Sequence, residues 1–247
     1  MNAFDHDTVV PFKDSADSKK HQVAAMFDKI AFRYDFLNRF LSAGTDIGWR
    51  KRAIQLLAED HPKIILDVAT GTGDFAITCY KILQPDKITG IDISEGMLAL
   101  GRKKIENLNL GGKIQLLKGD SEAIFFDDNT FDAVTVAFGV RNFENLEKGL
   151  AEIRRVLKPG GKLVVLECSK PSLPVIKNLY NFYMKFITPG IGRLISKNKD
   201  AYHYLNNSVQ HFPEKKTFIQ TLNQSGYRDS FYKTLSLGIC TIYCSEK

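Results

Sequence analysis

The chain has 247 residues, 44% hydrophobic and 25% charged, which excludes a collagen-like or wholly disordered polymer and leaves one large domain or one domain with a small attached layer. Its 34 Lys and Arg outweigh 28 Asp and Glu, for a net charge of +6, a balance that admits an anionic partner and equally fits a basic enzyme. No run reaches the roughly 18 apolar residues of a membrane span, and the first residues carry acids where a secretory leader is apolar, so the expectation is a cytoplasmic protein.

Residues 1 to about 18 are polar and aperiodic, and are expected to be loose. Val23, Met26, Phe27, Ile30, Tyr34, Leu37 and Leu41 then recur at three- and four-residue steps, predicting an amphipathic helix. Ala43-Gly44 interrupts it, and a second helical stretch runs from about Asp46 to Ala58. The period changes at Ile64 to Ala69, a short apolar strand that ends in Thr70-Gly71-Thr72-Gly73-Asp74 and is followed by a helix through Leu83. Further strands are predicted over Lys87–Asp92, Lys113–Lys118, Phe131–Phe138 and Lys162–Cys168, with helices over Glu95–Leu108 and Glu144–Leu157. Beyond Pro171 a basic, aromatic, helical segment runs to about His211. Pro213 opens a short helix stopped by Gly226, and Tyr227–Thr234 and Gly238–Cys244 read as two last strands. Strands alternating with helices of this length mean an α/β chain with a buried parallel sheet. The expected layout is a helical lid over 19–60 and a main domain over 61–247.

Cys79, Cys168, Cys240, Cys244 and the five histidines show no metal-ligand spacing, so buried reduced thiols and no metal are expected. The chemistry lies in the strand–glycine turn–helix. Gly71 and Gly73 let backbone approach a ligand closely at a helix N-terminus, and Asp92, nineteen residues past Gly73 at the end of the next strand, suits a ribose diol. Gly71 to Ala76 also satisfies the relaxed dinucleotide fingerprint. A carboxylate at Asp74 repels a pyrophosphate, however, and with Asp67 suits a cationic nucleoside such as S-adenosylmethionine. Asp74 as helix cap and Asp67 as a buried anchor are the bland alternatives. Asp120, beyond the third strand, can accept from an adenine amine, with the Ser121 N–H facing a ring nitrogen.

These residues make Ile64 to Ser169 resemble the class I S-adenosylmethionine-dependent methyltransferases. Tyr34-Asp35-Phe36-Leu37-Asn38 with Leu41-Ser42, Gly44 and Trp49-Arg50, together with Arg155 to Ser169 and Phe138-Gly139-Val140-Arg141-Asn142, make the whole chain similar to the ubiquinone/menaquinone biosynthesis C-methyltransferases. Departures are Leu37 where that family usually has Met, Asp46 where it has His, and Ala69 where the general motif has Gly. The resemblance implies a Rossmann-like, seven-stranded, mostly parallel sheet with a helical insertion after strand five. It also implies donor contacts from Thr72, Asp92, Asp120 and Ser121, and C-methylation of a prenylated hydroquinone, most simply demethylmenaquinol. Within that reading Arg141 favours a phenolate, Tyr34 and Asp35 are further catalytic candidates, and Asn38 and Asn142 orient the substrate.

Lys170 to Lys199 carries six cations and no acid, interleaved with Leu179, Tyr180, Phe182, Tyr183, Phe186 and Ile187. Such a stretch suits peripheral contact with an anionic membrane, and it also suits a lid or RNA. Nucleic acid is not the expected partner, because the Asn/Asp-Pro-Pro-Tyr motif of amine-methylating enzymes is absent after strand four. A donor-binding module without activity and a nicotinamide dehydrogenase are the readings from other classes.

Overall fold

The computed structural model describes residues 5–171 and 199–247. They form a seven-stranded sheet from β1 (Ile64–Val68), β2 (Lys87–Asp92), β3 (Ile114–Lys118), β4 (Phe131–Ala137), β5 (Leu157–Cys168), β6 (Arg228–Leu235) and β7 (Cys240–Glu246). The order is β3-β2-β1-β4-β5-β7-β6, with β1 to β5 parallel and β7 antiparallel to both β5 and β6. The helices are α1 (Lys19–Leu41), α2 (Thr45–Gln55), α3 (Asp74–Leu83), α4 (Glu95–Asn107), α5 (Leu146–Val156), α6 (Lys199–His211) and α7 (Lys216–Gln224).

Alternation along the strands sets the layers. Ile65, Ala133, Val164 and Leu166 face one side, where Ala53, Ile54, Phe75, Ala76 and Leu98 of α2, α3 and α4 cover them. Leu66, Val68, Val134, Val136 and Val165 face the other, against Leu150 and Ile153 of α5 and Phe218 and Leu222 of α7. Helix α1 lies apart from both faces: Val23, Met26, Phe27 and Ile30 pack with Met97 of α4 and with Ala201 and Tyr204 of α6.

Three expectations change. First, α2 packs on the sheet beside α3 and β5 rather than standing apart with α1, because Trp49, Ala53 and Ile54 on one helical face join the core on that side. Second, the N-terminal stretch is packed: His6 is fully buried, edge-on to Phe212, and Lys19 donates to its carbonyl at 2.6 Å. Burial pushes the His6 imidazole down to about 3, so it stays neutral. Third, Lys158 to Gly161 is a bulge inside β5, where pairing with β4 jumps from Phe131/Leu157 to Ala133/Lys162 and Gly160 takes φ +76°. All four cysteines are unbridged, and three are buried. The basic segment lies outside the described residues over 172–198; only its end, as α6, is described.

Strands β2 and β3 extend from β1 to one side and β4 and β5 to the other. The chain therefore reverses direction across the sheet between β1 and β4, and a crevice opens at their carboxyl ends.

Candidate active site

The crevice holds a cleft open to solvent, lined by α1, by α4 and by the loops that follow β1, β2, β3 and β4. Its floor is the turn after β1. Thr70 N donates to Ile91 O, Gly73 N to Thr70 O, and Gly71 N to Asp92 Oδ2 at 2.8 Å. Gly71 (φ +57°) and Gly73 (φ +77°) use the left-handed region that glycine adopts without strain. Ala69, where the general motif has glycine, takes φ +54° with its Cβ present.

Asp92 lines the cleft, half-buried, and its Oδ1 accepts from Ser94 N at 2.9 Å. Each oxygen keeps acceptor capacity for a further donor. Burial pushes its carboxyl up to about 6, against the backbone donors that pull it down. Asp120, Ser121, Glu122 and Glu144 line the same end. Lys20 of α1 reaches in, donating to Asp120 Oδ2 and lying 3.5 Å from Glu122 and 4.0 Å from Glu144. Glu122 is buried and ties the loops together, accepting from Glu144 N at 2.8 Å and Asn145 N at 3.0 Å. Four carboxylates against one ammonium suit a positively charged ligand and oppose a diphosphate.

The other wall is apolar: Val23, Phe27 and Tyr34 from α1, Met97 from α4, and Phe138 and Phe143 after β4. Tyr34 stands edge-on to Phe27 at 5.7 Å. Burial raises its phenol, while Arg141, a hydrogen bond with Asn38 and Arg50 pull the other way. Arg141 and Arg50 thus bring positive potential to this wall. Each is buried with a carboxylate partner, Glu167 for Arg141 and Asp46 for Arg50. Asn142 also lines the cleft; its Oδ1 accepts from Tyr204 OH at 3.1 Å, which fixes the amide.

The predicted site residues separate into two groups. Tyr34, Gly71, Asp92, Asp120, Ser121 and Asn142 meet at the cleft. Asp67, Thr72, Gly73, Asp35, Asn38 and Arg141 are not among its lining residues. Asp67 is buried beneath the turn, accepting from Thr70 Oγ1 at 2.6 Å and Thr135 Oγ1 at 2.7 Å, with its carboxyl pushed up to about 6 by burial. Asp35 turns out of the cleft: it accepts from Thr72 Oγ1 at 2.6 Å and pairs with Lys104, which also donates to Thr72 and Asp74. Asp74 starts α3 without capping it, and with Lys104 and Arg39 beside it, its charge no longer argues against a diphosphate. That argument passes to the four carboxylates of the cleft. Arg141 pairs with Glu167 and not with Glu144, its nearer neighbour in sequence.

Sequence reasoning passed over Lys20, Glu122, Glu167, Lys104 and Tyr204. Glu122 stood two residues beyond Asp120, and Glu167 within Arg155 to Ser169, so both had a signal. Lys20 and Lys104 are single members of basic runs, and nothing local marks them.

The model of the ubiE/COQ5 methyltransferase family matches residues 15–247. The demethylmenaquinone methyltransferase of Bacteroides fragilis is 46% identical over 94% of this chain and 96% of its own. The ubiquinone/menaquinone biosynthesis C-methyltransferase of Geobacter sulfurreducens is 44% identical over 93% of this chain and 90% of its own. A crystal structure of an S-adenosylmethionine-dependent methyltransferase from Thermotoga maritima superposes with a TM-score of 0.61 at 19% identity, covering 90% of this chain and 99% of that one. At that identity the superposition speaks to the fold.

Proposed function

Because the chain belongs to the ubiE/COQ5 methyltransferase family, we propose that it methylates a ring carbon of demethylmenaquinol to give menaquinol. It is an S-adenosylmethionine-dependent C-methyltransferase of quinone biosynthesis. The single observation that carries the substrate reading is the division of the cleft into a carboxylate-rich end around Asp92 and an aromatic wall of Phe27, Tyr34 and Phe138. The first accepts a cationic nucleoside without phosphates, the second a flat, greasy ring.

Bound S-adenosylmethionine supplies an electrophilic sulfonium methyl. The Asp92 carboxylate accepts from the ribose hydroxyls on lone pairs left over from Gly71 and Ser94, and Asp120 and Ser121 face the adenine edge. Asp120 already accepts from Lys20, so the adenine amine shares or displaces that ammonium. Asp67, Thr72 and Gly73 act through the turn, holding its backbone in place. Positioning of donor and ring along one axis supplies much of the acceleration.

A ring carbon attacks only when the neighbouring hydroxyl gives up its proton, here to water at the open cleft, and the methylated carbon then loses its own ring proton to water to restore the aromatic ring. The positive potential of Arg141 and Arg50 at the Tyr34 wall favours that phenolate, although Glu167 and Asp46 offset part of it. Tyr34 packs against the ring, and its phenol, held by Asn38, donates to the developing phenolate. Asn142, fixed by Tyr204, orients the second ring oxygen. Asp35 serves here as a latch between α1 and the glycine turn.

The lipid tail of such a substrate makes peripheral contact with an anionic membrane part of the same proposal. No helix among the described residues is long and apolar enough to cross a membrane. Mass analysis of the quinones of cells lacking this chain tests the activity: demethylmenaquinone is expected to accumulate, and an unchanged quinone pool refutes the reading.

A further inference from the structure

Helix α1 has two apolar faces, and the cleft uses only one. Val23, Phe27 and Tyr34 point to the cleft. At 100° per residue, Phe32, Phe36 and Phe40 fall on the opposite side. They are 88%, 60% and 52% exposed, and the rings of Phe36 and Phe40 stack at 6.0 Å. From residue 29 to residue 40, every exposed position of α1 is aromatic or cationic: Lys29, Phe32, Arg33, Phe36, Arg39 and Phe40. Both acids of the same helix are engaged by the body of the protein, although Asp28 remains exposed beside Lys29. Asp28 accepts from Ser94 Oγ and Gly96 N, and Asp35 is held by Thr72 and Lys104.

Three phenylalanines at four-residue spacing leave more than half of their surface open to water, on a helix face that water would otherwise favour as polar. Rings bordered by Lys29 and Arg33, which form no ion pair among the described residues, match the boundary between anionic headgroups and acyl chains, while Arg39 is drawn to Asp74 and Asp46. A protein partner of equal charge complementarity would need acids set between the aromatic pockets. A bilayer offers both as a continuum.

We infer that the outer face of α1 is the surface by which this protein docks on an anionic lipid bilayer. Helix α1 then stands between the bilayer and the cleft, with one face in lipid and the other over the acceptor. The usefulness of this arrangement rests on the prenylated-quinol reading, because a substrate whose tail stays in the bilayer must be met at its surface. The docking itself is measured without substrate.

Flotation of the full chain with vesicles tests it. Phosphatidylcholine vesicles containing phosphatidylglycerol are expected to carry the wild type, and phosphatidylcholine alone to carry little. Phe32→Ser, Phe36→Ser and Phe40→Ser together should lower partitioning at least about tenfold, since each removes a ring from the interface. Lys29→Ser with Arg33→Ser should erase the preference for phosphatidylglycerol. These side chains are exposed, so turnover of a short-tailed quinol in detergent should persist in both variants. Equal partitioning of wild type and triple variant overturns the inference. A wild-type dimer that the triple variant turns into monomer also overturns it, by assigning the face to a second copy. Turnover lost in detergent as well as on vesicles counts against it, because the rings would then be structural. Vesicle binding as expected with no quinol turnover by the wild type leaves the surface standing and refutes the proposed substrate instead.

Discussion

Replacing Arg141 with methionine leaves the Glu167 carboxylate buried at 0% exposure with only backbone donors, Cys168 N at 2.9 Å and Arg141 N at 3.4 Å. Arg141 is itself only 6% exposed, so water screens the pair weakly. Breaking one side of such a pair costs about 3–5 kcal/mol, while replacing both partners with apolar residues is often near neutral. For a chain of this size each kcal/mol moves the melting temperature by roughly 2–4 °C. Arg141→Met should therefore melt on the order of 10 °C below the wild type, and Arg141→Met with Glu167→Leu should recover most of the loss. The deficit should also depend on pH. Burial already raises the Glu167 carboxyl, and Arg141 is the main influence holding it down. Without Arg141 the folded state binds that proton still more tightly, so stability is kept at acid pH and lost as pH rises through the raised value. Melting curves of the single and double variants at pH 5 and pH 8 test this. A single variant that melts with the wild type at both pH values would refute the buried-pair reasoning. Turnover then separates positioning from electrostatics: a stable double variant with full activity would leave Arg141 no part in favouring a phenolate.

Three further outcomes follow from the geometry. Asp92 must be ionised to accept two hydroxyls, and its carboxyl lies at about 6; S-adenosylhomocysteine affinity, measured calorimetrically, should fall as pH drops through 6, and an affinity flat from pH 7 to pH 5 would remove Asp92 from the donor site. The same raised value means that the free folded protein binds this proton better than the unfolded chain, so the contribution of Asp92 to stability declines as pH rises toward 6. Asp35→Ala should raise KM for the donor a few-fold with kcat nearly unchanged, since a partly exposed pair with Lys104 is worth at most about 1 kcal/mol; a large fall in kcat alone would make Asp35 a proton acceptor after all. Gly139→Ala would place a Cβ 2.6 Å from the Ala69 Cβ and 3.0 Å from Val136 Cγ1, a severe clash that thermal melting should register. Ala69→Gly removes the nearer atom and relieves a left-handed alanine worth roughly 1–2 kcal/mol, so the double variant should melt above Gly139→Ala.

The elements were legible because each rests on a local period. The short apolar runs of β1 and β4, the three- and four-residue steps of α1 and the glycines of the turn need only their neighbours in the chain. Asp92 and Asp120 could be placed for the same reason, since the end of a parallel strand beside a glycine turn lies at the crevice in any sheet of this topology. The destinations of the other charges had no such rule. Whether Asp35 faced the cleft or Lys104, and whether Arg141 met Glu144 or Glu167, depended on how helices and loops far apart in the chain pack together. An ion pair forms with whichever opposite charge arrives within reach and shares its burial. Periodicity along one chain does not encode that distance. Likewise the inner face of α1 was readable from Val23 to Leu41, whereas Phe32, Phe36 and Phe40 became a surface only once packing had fixed which face of the helix the body covers.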